Sequence, residues 1–269
     1  MTGQAHTAIR THDLAVHFGG VRAVDGIDLE VPTGETRAVI GPNGAGKTTL
    51  FNLLSGHLEP TRGRVELFGQ DVTALPAHAR SRAGVARTFQ LSNLFERLTT
   101  RDNIALAVIG DDATARRRLH LPVTSSPQVT ARAQELLERF GLDEQADLRV
   151  DELGHGRQRV LEIAMALAGD PRILLLDEPT AGVSRAEATT LADIIAELDP
   201  RLTVLVVEHD MAVAFALADR VTVMVEGREL MTGTPDEVRG HPDVVDAYLG
   251  AGEQPHEEGP SEEEGGHGA

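Results

Sequence analysis

The 269-residue sequence has no cysteine and no tryptophan, and aromatic residues make up only 3% of it. Without cysteine there can be no disulfide, no zinc–thiolate centre and no thiol nucleophile. The absence also suits a reducing compartment. With so few rings, a core drawn from the 41% hydrophobic residues must consist mainly of Leu, Val, Ile and Ala. Long apolar runs are missing as well. The longest clear one, Met211–Ala218, falls far short of the roughly 18 residues that a membrane-spanning helix needs. The polar stretch Met1–His12 lacks the apolar segment of a secretory signal. The sequence therefore reads as a soluble chain.

Positive charge is scarce. The formal net charge is −17, which argues against broad nucleic-acid binding. Six glutamates (Glu253, Glu257, Glu258, Glu262, Glu263 and Glu264) fall in the last 19 residues, yet the body stays acidic without them. The one obvious basic cluster, Arg116-Arg117-Arg118, reads as a solvated face. Lysine is the rarest cation of all: Lys47 is the only one, and the other 24 basic residues are arginine. An ammonium is a compact point charge where a guanidinium is a planar fork, so the place where the lysine survives carries information.

Periodicity divides the chain into three stretches. In the first, Ile9–Phe18, Ile27–Val31, Thr36–Ile40 and Gly63–Phe68 read as strands, and a helix is expected over Lys47–Ser55. From Leu91 to Gly169 the pattern is helical, over Arg101–Val108, Thr130–Phe140 and Gly156–Ala168, with the polar Gly110–Pro127 as an exposed connection. After Pro171, strands Ile173–Leu176, Leu202–Val207 and Val221–Val225 alternate with helices Arg185–Leu198 and Asp210–Ala218. Such alternation implies a parallel sheet covered on both faces, in an α/β fold with a helical insert. Residues beyond Gly250 are rich in Glu and Gly and are expected to be disordered.

Lys47 lies in Gly41-Pro42-Asn43-Gly44-Ala45-Gly46-Lys47-Thr48, which fits the phosphate-loop pattern G-x-x-x-x-G-K-S/T between an expected strand and an expected helix. Glycines let the backbone curl its N–H groups around a β-phosphate, and the following helix turns its positive end to the same anion. The lysine reaches the β- and γ-phosphates, and the Thr48 hydroxyl can ligate Mg²⁺. The pattern points to a nucleoside triphosphate, with Mg-ATP as the expected ligand.

Ile173-Leu174-Leu175-Leu176-Asp177-Glu178 supplies what such a loop requires: an apolar strand ending in two acids. Ligands of open α/β sheets bind at the carboxyl ends of the strands. Neighbours on a strand point in opposite directions, so two acids can take two roles. Asp177 can hold Mg²⁺ through water, and Glu178 can act as base on the attacking water. A pair of acids capping the next helix is the plainer alternative. Ser184 and Glu187 have the S-x-x-E spacing of a capping box, and Asp210 can cap the helix after His209.

Taken together, these residues resemble the ATP-binding-cassette (ABC) ATPases over roughly Ile9–Gly250. Gly41–Thr48 looks like their Walker A loop, Gln90 of Arg87-Thr88-Phe89-Gln90 like the Q-loop glutamine, and Leu153-Gly154-His155-Gly156-Arg157 stands where the LSGGQ signature belongs. Leu174–Glu178 looks like Walker B with its catalytic glutamate, Ala181–Ser184 occupies the D-loop, His209 looks like the switch histidine, and Phe18 matches the aromatic that stacks on adenine. A narrower likeness is to the ATPase subunits of branched-chain amino acid importers. It rests on Gly41–Thr49, the Arg-Thr-Phe-Gln run, Asn93-Leu94-Phe95, Leu161-Glu162-Ile163-Ala164, Glu208-His209-Asp210-Met211, and Gly233-Thr234-Pro235 through Ala247-Tyr248-Leu249-Gly250.

The resemblance implies a RecA-like P-loop NTPase core at 8–90 and 170–250. To it are joined an antiparallel β subdomain and a helical subdomain at 91–169, with an acidic tail at 251–269. It implies a catalytic set of Glu178, His209 and Lys47. Nucleotide would be held by Phe18, Gly41, Pro42, Asn43, Gly44, Ala45, Gly46, Lys47, Thr48 and Thr49, and Mg²⁺ by Thr48, Gln90 and Asp177. Gly154 and Gly156 would serve the ATP of a second cassette. The implied partners are that second ABC ATPase subunit, integral membrane permeases and, indirectly, an extracellular solute-binding protein, with no nucleic acid. The implied place is the cytoplasm, peripheral on the inner face of the cell membrane.

The sequence departs from the family pattern at two points. The signature serine is Gly154, its next glycine His155 and its glutamine Arg157, and the D-loop carries Ser184 followed by Arg185. Both departures fall on the half-site offered to a partner. A soluble, non-transport ABC ATPase and a weakly catalytic regulatory subunit are the competing readings. A single Walker A, with neither heptads nor a basic surface, weighs against the first, and Glu178 with His209 weighs against the second.

Overall fold

The computed structural model describes residues 6–88, 94–111 and 126–250. Its strands are β1 (Thr7–Phe18), β2 (Val21–Ile27), β3 (Glu30–Pro32), β4 (Thr36–Ile40), β5 (Arg62–Leu67), β6 (Gln70–Asp71), β7 (Val85–Arg87), β8 (Ile173–Asp177), β9 (Thr203–Val207), β10 (Arg220–Val225) and β11 (Arg228–Gly233). Its helices are α1 (Lys47–Ser55), α2 (Ala77–Arg82), α3 (Thr100–Asp111), α4 (Pro127–Arg139), α5 (His155–Ala166), α6 (Arg185–Ala196), α7 (Met211–Leu217), α8 (Pro235–Arg239) and α9 (Pro242–Gly250).

One sheet has the order β11-β10-β4-β9-β8-β7, parallel except for β11, and inside it lie the near-continuous buried apolar runs of β9 and β8. Both faces are covered, which is why these strands show no polar alternation. Successive side chains leave a strand on opposite sides, and the two faces feed two cores. Leu174, Leu176, Val204, Val206 and Ile40 pack with Ile104, Leu136, Leu161, Leu191 and Ala214 of the helices. Ile173, Leu175, Leu205, Val207 and Val39 pack with Leu50, Phe51 and Leu54 of α1 and with Ile9, Leu14 and Val65 of the other sheet.

That other sheet is antiparallel, in the order β2-β1-β5-β6, with β3 also paired to β1. The helical stretch α3, α4 and α5 sits with α6 and α7 on the first face of the parallel sheet. In α4 the buried Val129, Ala133, Leu136 and Leu137 recur at helical spacing and turn inward. The expected α/β class is what the structure has: a parallel core, an antiparallel β part and a helical insert.

One expected strand is really two. Ile27–Val31 divides between β2, which ends at Ile27, and β3, which starts at Glu30. The buried Thr11 hydroxyl causes the break, accepting from the Leu29 N–H at 2.8 Å and donating to the Ile27 carbonyl at 2.7 Å. A side chain thus replaces a ladder bond, which local periodicity does not announce. The expected Gln90, the Arg116–Arg118 cluster and the acidic tail at 251–269 lie outside the described residues. Among the described residues no helix is long and apolar enough to cross a membrane.

Candidate active site

The glycine loop leaves the C-terminal end of β4 and enters α1 at Lys47. Gly41, Gly44 and Gly46 have φ of 151°, 79° and 97°. Two of them are also pressed against backbone: a Cβ on Gly41 would lie 2.1 Å from the Met224 carbonyl oxygen, and one on Gly46 2.2 Å from that of Ala23. No side chain caps the N-terminus of α1, so its first N–H groups are directed to whatever anion enters the loop. The buried Lys47 donates from Nζ to the carbonyls of Gly41 (2.6 Å) and Pro42 (3.0 Å). Burial pushes its pKa down, and the charges of Glu178 and Asp177 oppose that.

A cleft of about 360 Å³ opens over the loop, lined by Asn43, Gly44, Ala45, Gly46, Lys47, Thr48 and Thr49. Glu178 and His209 close it on one side, and Val21, Arg22, Ala23 and Glu226 on another. The strand order explains this meeting. β9 lies between β4 and β8, so the ends of three adjacent parallel strands deliver the loop, His209 and Glu178 to one edge. His209 Nε2 lies 2.5 Å from Glu178 Oε1. Phe18, 52% exposed at the end of β1, does not line the cleft itself, but its cross-strand partner Val21 does.

Asp177 and Glu178 do point to different surroundings. Glu178 faces the cleft from a backbone with φ of 51°, outside the usual range for a residue with a side chain. Asp177 is buried beneath it and pairs with Arg87 Nη2 at 2.9 Å. Burial raises the Asp177 pKa, and Arg87 works against that rise. The second Asp177 oxygen, Oδ1, is buried and accepts no hydrogen bond. An orphaned carboxylate oxygen below a threonine-bearing phosphate loop suits a hydrated Mg²⁺, a metal that keeps waters and takes few protein ligands. Among the described residues no cluster of three or more His, Cys, Asp or Glu could hold a metal on its own, so phosphate oxygens and water would have to complete the shell.

Gly154 and Gly156 lie elsewhere, at the start of α5, and do not line this cleft. Arg157 turns away to the Gly141 carbonyl, 3.3 Å from Nη1. Gln158 Nε2 donates back to the carbonyls of Val150 and Leu153. Ser184 and Glu187 form the expected capping box on α6, and Asp210 caps α7. Glu187 does more than cap: its Oε1 also accepts from the Gly156 N–H at 3.3 Å, so one carboxylate ties together the starts of α5 and α6.

Four residues of this region escaped sequence reasoning. Arg87 was legible only as part of a run, and Glu187 only as a cap. Glu208 is buried beside His209, where its carboxylate accepts two bonds from Thr180. Tyr248 of α9 packs against the core beside the Gly41 backbone; burial raises its pKa and the Gly41 backbone N–H opposes the rise.

A glycine loop between a central parallel strand and a helix, with acids at the end of a nearby strand, defines a P-loop nucleotide-hydrolysing core. Comparison narrows the class. Residues 24–181 match the family described as ABC transporter, and residues 228–254 match that described as branched-chain amino acid ATP-binding cassette transporter. The chain is similar to the high-affinity branched-chain amino acid transport ATP-binding protein BraF of Pseudomonas aeruginosa, with 40% identity over 88% of this chain and 95% of that protein. It is also similar to the protein of the same description, LivG, from Escherichia coli K12, with 41% identity over 90% of this chain and 97% of that protein. Among solved structures, the ADP conformation of an ATP-binding cassette of an ABC transporter superposes with a TM-score of 0.81 at 28% identity, covering 91% of this chain and 99% of that one.

The chain belongs to the ABC transporter family and is one of its ATP-hydrolysing cassettes. Neither the soluble non-transport reading nor the regulatory one is favoured by these relatives.

Proposed function

We propose that this cassette energises import of branched-chain amino acids. The supporting observation is the segment from β11 to α9, which matches the branched-chain family and packs back onto the nucleotide core through Val238, Val244 and Tyr248. The names of BraF and LivG point the same way. The chain would work as a pair with a second cassette, seated on integral membrane permeases at the inner face of the cell membrane and fed indirectly by an extracellular solute-binding protein.

In this reading the N–H groups of Gly44, Gly46 and Lys47 hold the phosphates, Asn43 and Thr49 flank them, and Phe18 stacks on the adenine. Lys47, pinned by the Gly41 and Pro42 carbonyls, is the cation set against the β- and γ-phosphates. Thr48, Asp177 and Gln90 would hold Mg²⁺, which supplies charge neutralisation for the phosphates when bound. Glu178 accepts a proton from the attacking water, while His209 fixes the carboxylate and reaches for the γ-phosphate. Gly154 and Gly156 of the second cassette complete the site, with the start of α5 directed at the partner's γ-phosphate. Catalysis is then positioning and electrostatics.

Two measurements test this. In proteoliposomes carrying the cassette with its permeases, ATP-dependent uptake of leucine is expected to be competed by isoleucine and valine. Uptake of a different solute would replace the substrate and leave the ATPase reading standing. Glu178→Gln is expected to abolish turnover while ATP still binds and holds a dimer together. Unchanged turnover would remove Glu178 from its role.

A further inference from the structure

The turn that carries Glu178 is held by the segment Val207–His209 at three points. The Glu178 N–H donates to the Val207 carbonyl at 2.9 Å. The Glu178 carboxylate meets His209 Nε2. Two residues on, the Thr180 N–H and hydroxyl both donate to Glu208 Oε1, at 3.2 and 2.8 Å. The first two contacts belong to the strand ladder and to the reacting groups. The third uses a carboxylate that is only 3% exposed and has no place in the chemistry described above.

We infer that Glu208 is a positioning residue: it latches Thr180 so that Glu178 stays at positive φ with its carboxylate in the cleft. Three observations carry this. A non-glycine residue at φ of 51° persists only where its surroundings over-determine it. Pro179 separates the strained residue from Thr180, so the latch closes within two residues of the strain and little chain is left to absorb a slip. A carboxylate buried this deeply needs strong donors, and the two it has from outside its own segment both come from Thr180. Burial raises the Glu208 pKa and the Thr180 bonds oppose the rise, as an arrangement kept for geometry requires. Because Glu208 precedes His209 directly, the latch also fixes the histidine relative to the turn it serves.

The inference rests on reading Glu178 as the base, and the experiment separates the two. Steady-state hydrolysis and fluorescent-ATP binding are measured on the full-length chain for Glu208→Ala, Thr180→Val, the double variant, Glu208→Gln and Glu178→Gln. Loss of the latch is expected to lower kcat by about tenfold or more, since displacements near 1 Å cost up to about a hundredfold, with nucleotide affinity changed less than about twofold. The double variant is expected to be no worse than the poorer single one, as for residues that act through one contact. Glu208→Gln keeps an oxygen that accepts from Thr180 and is expected to recover most of the rate.

Unchanged kcat in Glu208→Ala, or kcat and affinity falling in parallel, would overturn the latch, as would effects that multiply in the double variant. If Glu208→Ala does not fold, Thr180→Val and Glu208→Gln decide the matter by the same criteria. An active Glu178→Gln removes the base assignment and the latch with it. An inactive Glu178→Gln beside a fully active Glu208→Ala removes the latch alone.

Discussion

Arg87 and Asp177 form an ion pair at 2.9 Å in which the two side chains are 6% and 1% exposed. The same guanidinium donates from Nη1 to Asn52 Oδ1 and Ser55 Oγ. One side chain thus links β7, the strand that leads to Gln90, to α1 behind the phosphate loop and to the acid at the end of β8. Removing one member of a buried pair strands the other charge. Arg87→Met is expected to lower the unfolding free energy by roughly 3 kcal/mol. Adding Asp177→Asn is expected to restore much of that, because no lone charge is then left inside. Urea titrations of the two variants and the parent check this, and a double variant no more stable than Arg87→Met would contradict it.

Glu208 makes stability depend on pH in a particular direction. Burial raises its pKa, so the folded state holds this proton more tightly than the unfolded chain. Its contribution is therefore fully present below the ordinary glutamate range and is lost as pH rises through the elevated folded value. Asp177, raised by burial as well, acts in the same sense. Glu208→Gln carries no proton to lose. Thermal midpoints measured from pH 4.5 upward are expected to decline less in this variant than in the parent. Parallel curves would show that Glu208 titrates alike in both states.

Lys47 has the opposite shift, for the same reason. Burial lowers its pKa below the ordinary lysine value of 10.5. In the alkaline window between the lowered and the ordinary value the free protein holds a neutral amine. Phosphate oxygens favour the ammonium and draw a proton back. ATP binding is expected to take up protons there, and calorimetric titrations in buffers of different ionisation enthalpy will show it. Lys47→Arg, charged throughout, is expected to lose this uptake.

Ser184 is expected to serve folding within its own chain. Its hydroxyl accepts from the Glu187 N–H, and Glu187 returns the bond to the Ser184 N–H at 2.9 Å. Ser184→Ala is expected to cost about 1 kcal/mol, as a lost helix cap does, with ATP affinity of the isolated chain unchanged. Chemical denaturation beside a binding titration measures both, and a large fall in affinity would show that α6 supports the cleft directly.

Much of this could be read along the chain because it is local. Loop glycines, the Ser184–Glu187 box, the Asp210 cap and the strand Ile173–Asp177 are patterns of a few residues whose geometry follows from backbone sterics and short-range bonds. The missed elements are short and depend on neighbours. β7 has three residues and exists because it pairs with β8. The split of Ile27–Val31 depends on a hydroxyl from Thr11. Arg157 is an added charge in the sequence, yet it spends itself on the Gly141 carbonyl. Such partners lie far off along the chain, where periodicity carries no information.

The sequence by itself determined the phosphate loop with its single lysine, the two acids and the alternation of strands with helices, because each is set by residue type and spacing. Only the tertiary structure decided which partners the buried charged groups find. Arg87 faces Asp177 across 90 residues and Glu208 faces Thr180 across 28. Those distances close because β9 and β7 flank β8 in the sheet. Strand order is a property of the whole core, so no local pattern could have named these pairs.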